Sequence, residues 1–140
     1  MVTITGGLVG GVVATVVMTA LMMVLGDDSP PPTAMLVAKF ADGDPEDYAM
    51  PGMALHFLYG IGAGAVFAVA LPLVLDDPSV AVATGLGVAY GVVLMVVGMA
   101  FWMRGVIGAD PGRNTMQMFA IVHVVYGVVL GAVVGAELFA

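Results

Sequence analysis

The stretch HFLYGIGAGAV, residues 56–66, recurs as HVVYGVVLGAV, residues 123–133, with six of eleven positions identical. The two copies contain the only histidines in the chain. In each copy the histidine, the tyrosine and two glycines fall at positions i, i+3, i+4 and i+8, which share one face of an α-helix. Each copy also lies inside a run without charged residues, 51–75 and 114–136. The pattern therefore predicts two similar membrane-spanning helices.

Two further charge-free runs, 3–26 and 79–103, also exceed the roughly 20 residues that cross a bilayer core. Charged residues make up 9% of the chain, whereas a soluble domain carries about 25%. None of the four runs has the polar stripe of a soluble amphipathic helix, so we predict an all-α integral membrane four-helix bundle in one domain, 1–140. Its expected spans are residues 4–26, 52–75, 79–103 and 116–138.

A second similarity relates the first and third runs. Residues 7–23 match residues 87–103 at eight of seventeen positions. Together with the histidine motif, this match predicts an internal repeat of two tandem helical hairpins, residues 1–75 and 79–140. Each hairpin has two spans, so both copies insert in the same direction, and the repeat is expected to be parallel, about an axis along the membrane normal.

The three basic residues predict the orientation. Lys39 lies in the loop between the first two spans, and Arg104 and Arg113 lie between the last two. The positive-inside rule places both loops in the cytoplasm and both termini outside, in a multi-pass protein of the cell membrane. Trp102, beside Arg104, fits an interfacial anchor on the same side.

The composition limits the function classes. The chain has ten acidic residues, a net charge of −7 and no cysteine. This acidic, lysine-poor composition is typical of halophilic archaea. It disfavours nucleic acid as a partner, and the lack of cysteine excludes disulfides and thiol chemistry. We recognise no catalytic triad, carboxylate pair or HExxH motif and expect a non-enzymatic protein in the lipid bilayer, either as a homo-oligomer or within a larger membrane complex.

Small residues spaced four apart predict how the helices pack. Apolar burial does not drive helices together in lipid, whereas close backbone approach at small residues does. Each predicted span carries such a ladder, which favours a tight bundle. The helix-packing candidates are Gly7, Gly11, Thr15 and Thr19 in the first span, Gly60 and Gly64 in the second, Gly87 and Gly91 in the third, and Gly127, Gly131 and Gly135 in the fourth.

The loop of residues 27–50 is the longest. It begins DDSPPP, which is expected to end the first helix because proline cannot continue it. A short interfacial helix is then predicted, with Thr33 as its cap and Gly43 as its terminator. The loop after the third span is expected to run from Arg104 to about Thr115.

Ionisable residues inside a span indicate a functional site, so the candidate ligand or pathway residues are His56, Tyr59, His123 and Tyr126. Three interpretations are open. The histidines could be structural, forming hydrogen bonds to threonine, tyrosine or backbone groups across the bundle. They could be the axial ligands of a haem b in an electron-transfer subunit. They could also line a pathway for protons or a small solute. We predict no cofactor for the first and third interpretations. In all three, the two imidazoles are expected at similar depth on parallel helices.

Methionine is abundant, with twelve in the chain. Met95, Met99 and Met103 are four residues apart, as are Met18 and Met22. Thioethers bind Cu(I), but methionine is also ordinary apolar filler, and we assign no metal site to these residues.

The combination of a glycine-rich first helix (GGLVGGVVATVVMT), the prolines Pro30, Pro31 and Pro32 just after it, and a histidine motif opening the second and fourth spans resembles the YagU-like family and its small haloarchaeal relatives. The resemblance implies a four-span membrane protein of uncharacterised function, with Pro31, Pro32, His56 and His123 at recurring positions. The chain departs from the family in lacking basic residues beside the diproline and in its shorter termini.

Overall fold

A computed structural model describes residues 1–26 and 29–140, and the ordered elements in these ranges are helices, with no strand. The prediction of an all-α protein is therefore confirmed for the described chain. The elements are α1 (Ile4–Leu25), α2 (Pro32–Ala41), a 3-10 turn (Pro45–Tyr48), α3 (Ala49–Val74), α4 (Val80–Val96), a π-helix that continues α4 (Val97–Ile107), and α5 (Arg113–Gly135).

Four helical segments are long and apolar enough to cross a membrane, as predicted. They are Ile4–Leu25, Pro45–Val74, Val80–Ile107 and Arg113–Gly135. The shortest has 22 residues, which is about 33 Å at 1.5 Å per residue and matches the hydrocarbon thickness of a bilayer.

The four long helices form a bundle with one loosely closed seam. α1 packs against both α3 and α5, and α5 packs against α4, whereas α3 and α4 touch at only a few positions. The buried core runs through the middle of the bundle and consists of Ala14, Met18, Ala63, Phe67, Leu71, Ala83, Val122, Tyr126, Leu130 and Val134.

Both chain termini lie at one end of the bundle. The Thr3 hydroxyl donates to the Phe139 carbonyl at 2.8 Å, and the Met1 amino group forms an ion pair with Glu137. We call this end, which also carries the turn of residues 75–79, the terminal side. The opposite end, with residues 29–48 and 108–112, is the loop side.

The first helix ends just before the proline run. Gly26 caps α1, and its N–H donates to Met22 O at 2.7 Å. Asp27 and Asp28, the first two residues of the predicted stop signal, lie outside the described residues. A helix, α2, occupies the segment between residues 33 and 43 where a short helix was predicted, and it packs against α3 and the π-helix. Its position at a membrane interface stays a prediction.

Two details of α2 differ from the prediction. Thr33 is not its cap: the N-cap is Pro31, and the Thr33 hydroxyl donates to the Gly52 carbonyl at 2.6 Å, which ties α2 to α3. Gly43 is not the residue that turns the chain either. Asp42 adopts the left-handed conformation, with φ of 57°, because a short polar side chain tolerates that region.

The helix of the third span continues past its predicted end. The loop was expected to begin at Arg104, but the π-helix extends to Ile107 and is closed by Gly108, whose φ is 77°. Arg104 therefore lies on the last helical turns, where its Nε is 3.4 Å from the Asp110 carboxylate. α5 begins at Arg113, so the connecting loop is only residues 108–112.

Candidate functional site

The α1–α3 contact has almost no space for side chains at its glycines. A Cβ added to Gly7 would lie 2.6 Å from Gly64 O, and one added to Gly11 would lie 2.9 Å from Gly60 O. A Cβ on Gly60 would collide with the Thr15 hydroxyl. The face of α3 that begins with His56 therefore meets α1 backbone to backbone at its glycines.

The α4–α5 contact is built in the same way. A Cβ on Gly87 would lie 2.9 Å from Gly131 Cα, and one on Gly91 would lie 3.3 Å from Gly127 Cα. Gly135 meets Ala83. The register differs by one turn from the first hairpin, because Gly87 faces Gly127 as well as Gly131, whereas its sequence counterpart Gly7 faces Gly64 and Ala68.

His56 is tied to α1 through a hydroxyl. The Thr19 Oγ1 donates to the Thr15 carbonyl at 2.7 Å and lies 3.1 Å from His56 Nε2. A hydroxyl has one proton, and here it is used within α1. We therefore assign the Nε2–H tautomer to His56, which donates to Thr19 and leaves Nδ1 as a lone-pair acceptor. His56 is half-buried.

His123 carries the opposite tautomer. Its Nδ1 lies 2.7 Å from the Phe119 carbonyl, which can only accept, so the proton is on Nδ1 and Nε2 has the lone pair. The imidazole also stacks on the Phe119 ring, with 4.4 Å between the centroids. His123 is 8% exposed. No fully buried side-chain nitrogen among the described residues lacks a hydrogen bond, so the unpaired Nε2 keeps some accessible surface.

The two histidines lie at different positions along their helices. His56 is seven residues after the start of α3, about 11 Å along its axis, and His123 is ten residues after the start of α5, about 15 Å. His123 is thus the deeper of the two relative to its own helix start.

The paired tyrosines have different surroundings. Tyr126 is 2% exposed, and its hydroxyl donates to the Gly60 carbonyl at 2.6 Å, linking α5 to α3 across the core. Tyr59 is 40% exposed and lies on the α3–α4 seam. Tyr90 on α4 belongs to the same group: its hydroxyl donates to the Ala63 carbonyl at 2.8 Å, and its ring packs on Phe67.

The methionines are distributed unevenly between the two ends. All but Met1 lie in α2 or in the loop-side halves of the long helices. Met18 is buried in the core, and Met22 and Met118 pack against it. The Cu(I) interpretation therefore concerns the half of the bundle that also holds the histidines. No group of three or more metal-binding His, Asp or Glu side chains occurs among the described residues.

The structural interpretation named threonine, tyrosine or backbone groups as partners of the histidines, but sequence reasoning did not single out Thr19 or the Phe119 carbonyl. Thr19 was identified only as a small packing residue, yet its hydroxyl accepts from His56. Its place in a ladder that continues Gly7, Gly11 and Thr15 was the available signal, since a threonine in such a ladder brings a hydroxyl into a helix contact. Tyr90 has no counterpart in the repeated motif, and nothing in its local sequence indicated its bond to Ala63.

No protein-family model matches this chain, and no curated protein or solved structure shows significant similarity to it. The resemblance to the YagU-like family therefore stays a prediction, and the argument about function depends on the geometry of the site.

Proposed function

We propose that this small polytopic membrane protein is not an enzyme and that its two histidines form a proton-exchanging site in a proton pathway on the loop side of the bundle. The observation that carries the proposal is the unpaired nitrogen on each imidazole. One nitrogen of His56 and one of His123 is fixed by a hydrogen bond, and the other keeps its lone pair. A lone pair without a partner inside a membrane protein is costly, and a proton or a bound water molecule would satisfy it.

The distribution of polar groups supports access from the loop side. The Thr19 hydroxyl and both imidazoles lie in the loop-side halves of their helices, and the Thr15 hydroxyl lies beside Gly60, whose carbonyl accepts from Tyr126. Towards the terminal side the buried core contains only apolar side chains, among them Phe67, Leu71, Leu130 and Val134. In the proposed pathway this apolar layer is the gate, which opens to let a proton pass and is closed in the conformation described here.

Two substitutions separate a protonation role from a structural one. His56→Gln retains an N–H donor near the position of Nε2, and His123→Asn retains one near the position of Nδ1. Both keep the hydrogen bond of the wild-type histidine and remove its titratable nitrogen. In vesicles with a potassium diffusion potential and an internal pH dye, we expect protein-dependent proton entry that each variant lowers to near the rate of protein-free vesicles. Wild-type flux in both folded variants would contradict a role of the histidines in proton transfer, and a wild-type protein without any protein-dependent flux would contradict a proton pathway.

The orientation and the repeat belong to the same proposal. We place the loop side in the cytoplasm because Lys39, Arg104 and Arg113 all lie there, and we attribute the two similar glycine contacts to a duplicated hairpin. Single cysteines at Ser29 and Ser79, labelled in whole cells with an impermeant reagent, test the orientation. Labelling at residue 79 alone is expected, and labelling at residue 29 alone would reverse the topology.

A haem b between the two histidines remains the second hypothesis, and the free Nε2 of His123 is the observation in its favour. The rest of the arrangement fits a haem poorly. The Nε2 of His56 is used by Thr19, and the glycines expected to leave room for the macrocycle, such as Gly60 and Gly127, are filled by neighbouring helices. An absorption spectrum of the purified protein tests this: a Soret band lost in both His56→Ala and His123→Ala would establish haem ligation.

A further inference from the structure

The α3–α4 seam contains a groove that is not part of the proposed proton pathway. It has a volume of about 350 Å³ and is open on one side. Its lining is Leu58, Tyr59, Gly62, Ala63, Val66, Tyr90 and Leu94. Apart from the two tyrosine hydroxyls, these side chains are apolar, and the opening faces the surface that lipid covers in a spanning bundle. The volume lies within the range of small-ligand pockets.

Tyr59 places an unpaired donor in this groove at an unusual depth. Its hydroxyl makes no hydrogen bond to any part of the chain that the structure describes. The backbone of Tyr59 lies two to three residues from the midpoint of α3, which is about 4 Å along the axis. A polar group left unsatisfied in the hydrocarbon core costs several kcal/mol. An occupant of the groove that brings an acceptor to this depth would remove that cost.

Ordinary phospholipids cannot supply the acceptor. Their ester carbonyls lie at the boundary of the hydrocarbon core, roughly 15 Å from the midplane of a core about 30 Å thick. The occupant must be an apolar molecule that carries its own oxygen acceptors deep into the membrane. A quinone ring with an isoprenoid or alkyl tail has this chemistry.

The second tyrosine suits the same class of molecule. The Tyr90 proton is donated to Ala63 O, so its oxygen can accept a hydrogen bond from a ligand. The groove therefore presents one donor, Tyr59, and one acceptor, Tyr90, which match the carbonyl of a quinone and the hydroxyl of a quinol. Both rings also offer faces for stacking. We propose that the α3–α4 groove binds a membrane quinone by its ring.

Two glycines make a matched test possible. A Cβ on Gly62 or on Gly85 would meet no atom within 4 Å, and both residues are exposed in a helix. Gly62 lines the groove, whereas Gly85 is not among the lining residues. Gly62→Leu therefore fills the groove, and Gly85→Leu makes the same change elsewhere on the bundle surface. Tyr59→Phe removes only the donor.

The experiment uses the full chain in nanodiscs of defined phospholipid. A photoreactive azido-quinone is cross-linked with and without excess decyl-benzoquinone, and the labelled peptides are mapped. In the wild type and in Gly85→Leu, we expect labelling of α3 and α4 that excess decyl-benzoquinone reduces. Gly62→Leu should lose that labelling. In Tyr59→Phe, decyl-benzoquinone should compete about fivefold to tenfold more weakly, which is the scale of one hydrogen bond. The histidines are untouched, so this result is independent of the proton-flux assay.

Four outcomes would overturn the proposal. The first is labelling that excess decyl-benzoquinone does not reduce. The second is equal labelling in the Gly62→Leu and Gly85→Leu variants. The third is a cross-linked dimer that Gly62→Leu abolishes and Gly85→Leu retains, because the groove would then hold a helix of a second copy. The fourth is full affinity in Tyr59→Phe, which would remove the assigned donor and, with it, the reason to choose a quinone.

Discussion

Helix packing in this protein can be tested with two pairs of neighbouring glycines. On α3, Gly62 has open space where a Cβ would be added, whereas a Cβ on Gly64 would lie 2.7 Å from Gly11 Cα and closer still to the Gly7 carbonyl. Carbon atoms in contact are normally about 3.5–4.0 Å apart, so Gly64→Ala requires α1 and α3 to separate by about 1 Å. Gly85 and Gly87 repeat this contrast on α4.

The expected free energies follow from two opposing effects. Any helical glycine changed to alanine gains about 1 kcal/mol in helix propensity, and forced separation of packed elements costs about 1–3 kcal/mol. Gly62→Ala and Gly85→Ala should therefore keep or slightly increase the free energy of unfolding. Gly64→Ala and Gly87→Ala should fall about 1–3 kcal/mol below their paired controls. The larger Gly64→Ile and Gly131→Ile should be worse.

The measurement is reversible unfolding in mixed micelles, followed by circular dichroism. Both members of each pair are glycines inside the same helix, so the propensity gain is matched, and the difference reports the cost of adding a Cβ in the buried helix contact. Equal stability of Gly64→Ala and Gly62→Ala would refute the argument that backbone contact at the glycines holds α1 against α3.

Three further predictions concern single hydrogen bonds. Thr33→Val removes the bond to Gly52 and should speed amide hydrogen exchange in α2 without changing exchange in α1, at a cost of about 1 kcal/mol. Thr19→Val leaves the His56 Nε2–H without its partner and should lower the free energy of unfolding by about 1–3 kcal/mol. A second change, His56→Leu, should restore most of that loss, and no restoration would mean that the bond does not stabilise the fold. Tyr126→Phe should lower the unfolding free energy by about 1 kcal/mol while leaving helix content unchanged in circular dichroism.

The helical architecture was predictable because charge-free length is a direct physical signal. A run of more than 20 apolar residues has few alternatives to a spanning helix, and all four predicted runs coincide with long helices. The helix boundaries were less predictable. Arg104 suggested a loop, but a charged side chain can remain on the last helical turn when its head reaches water, and the π-helix continues to Ile107.

The site residues were predictable only where they belong to the repeated sequence motif. The motif identified His56 and His123 because a repeated rare residue stands out against valine and glycine. It did not indicate that Tyr59 and Tyr126 would differ in burial, with 40% and 2% exposed. That difference arises because α5, which carries Tyr126, packs against both α1 and α4, while α3, which carries Tyr59, borders the open seam. Neighbour relations of this kind are absent from any local pattern.

The seam also bears on how the proposed pathway would open. The terminal side of the core is closed by apolar contacts, so a proton reaching His123 can go further only if helices move apart. α3 and α4 share the fewest contacts of any adjacent pair of long helices. Near the middle of the bundle the hydroxyls of Tyr90 and Tyr126 hold α3 through two of its carbonyls. Those carbonyls also serve the α3 backbone, so breaking the Tyr90 bond would loosen the α3–α4 seam while α3 stays helical. A quinone in the proposed groove would lie against this bond and would therefore change the cost of opening the seam.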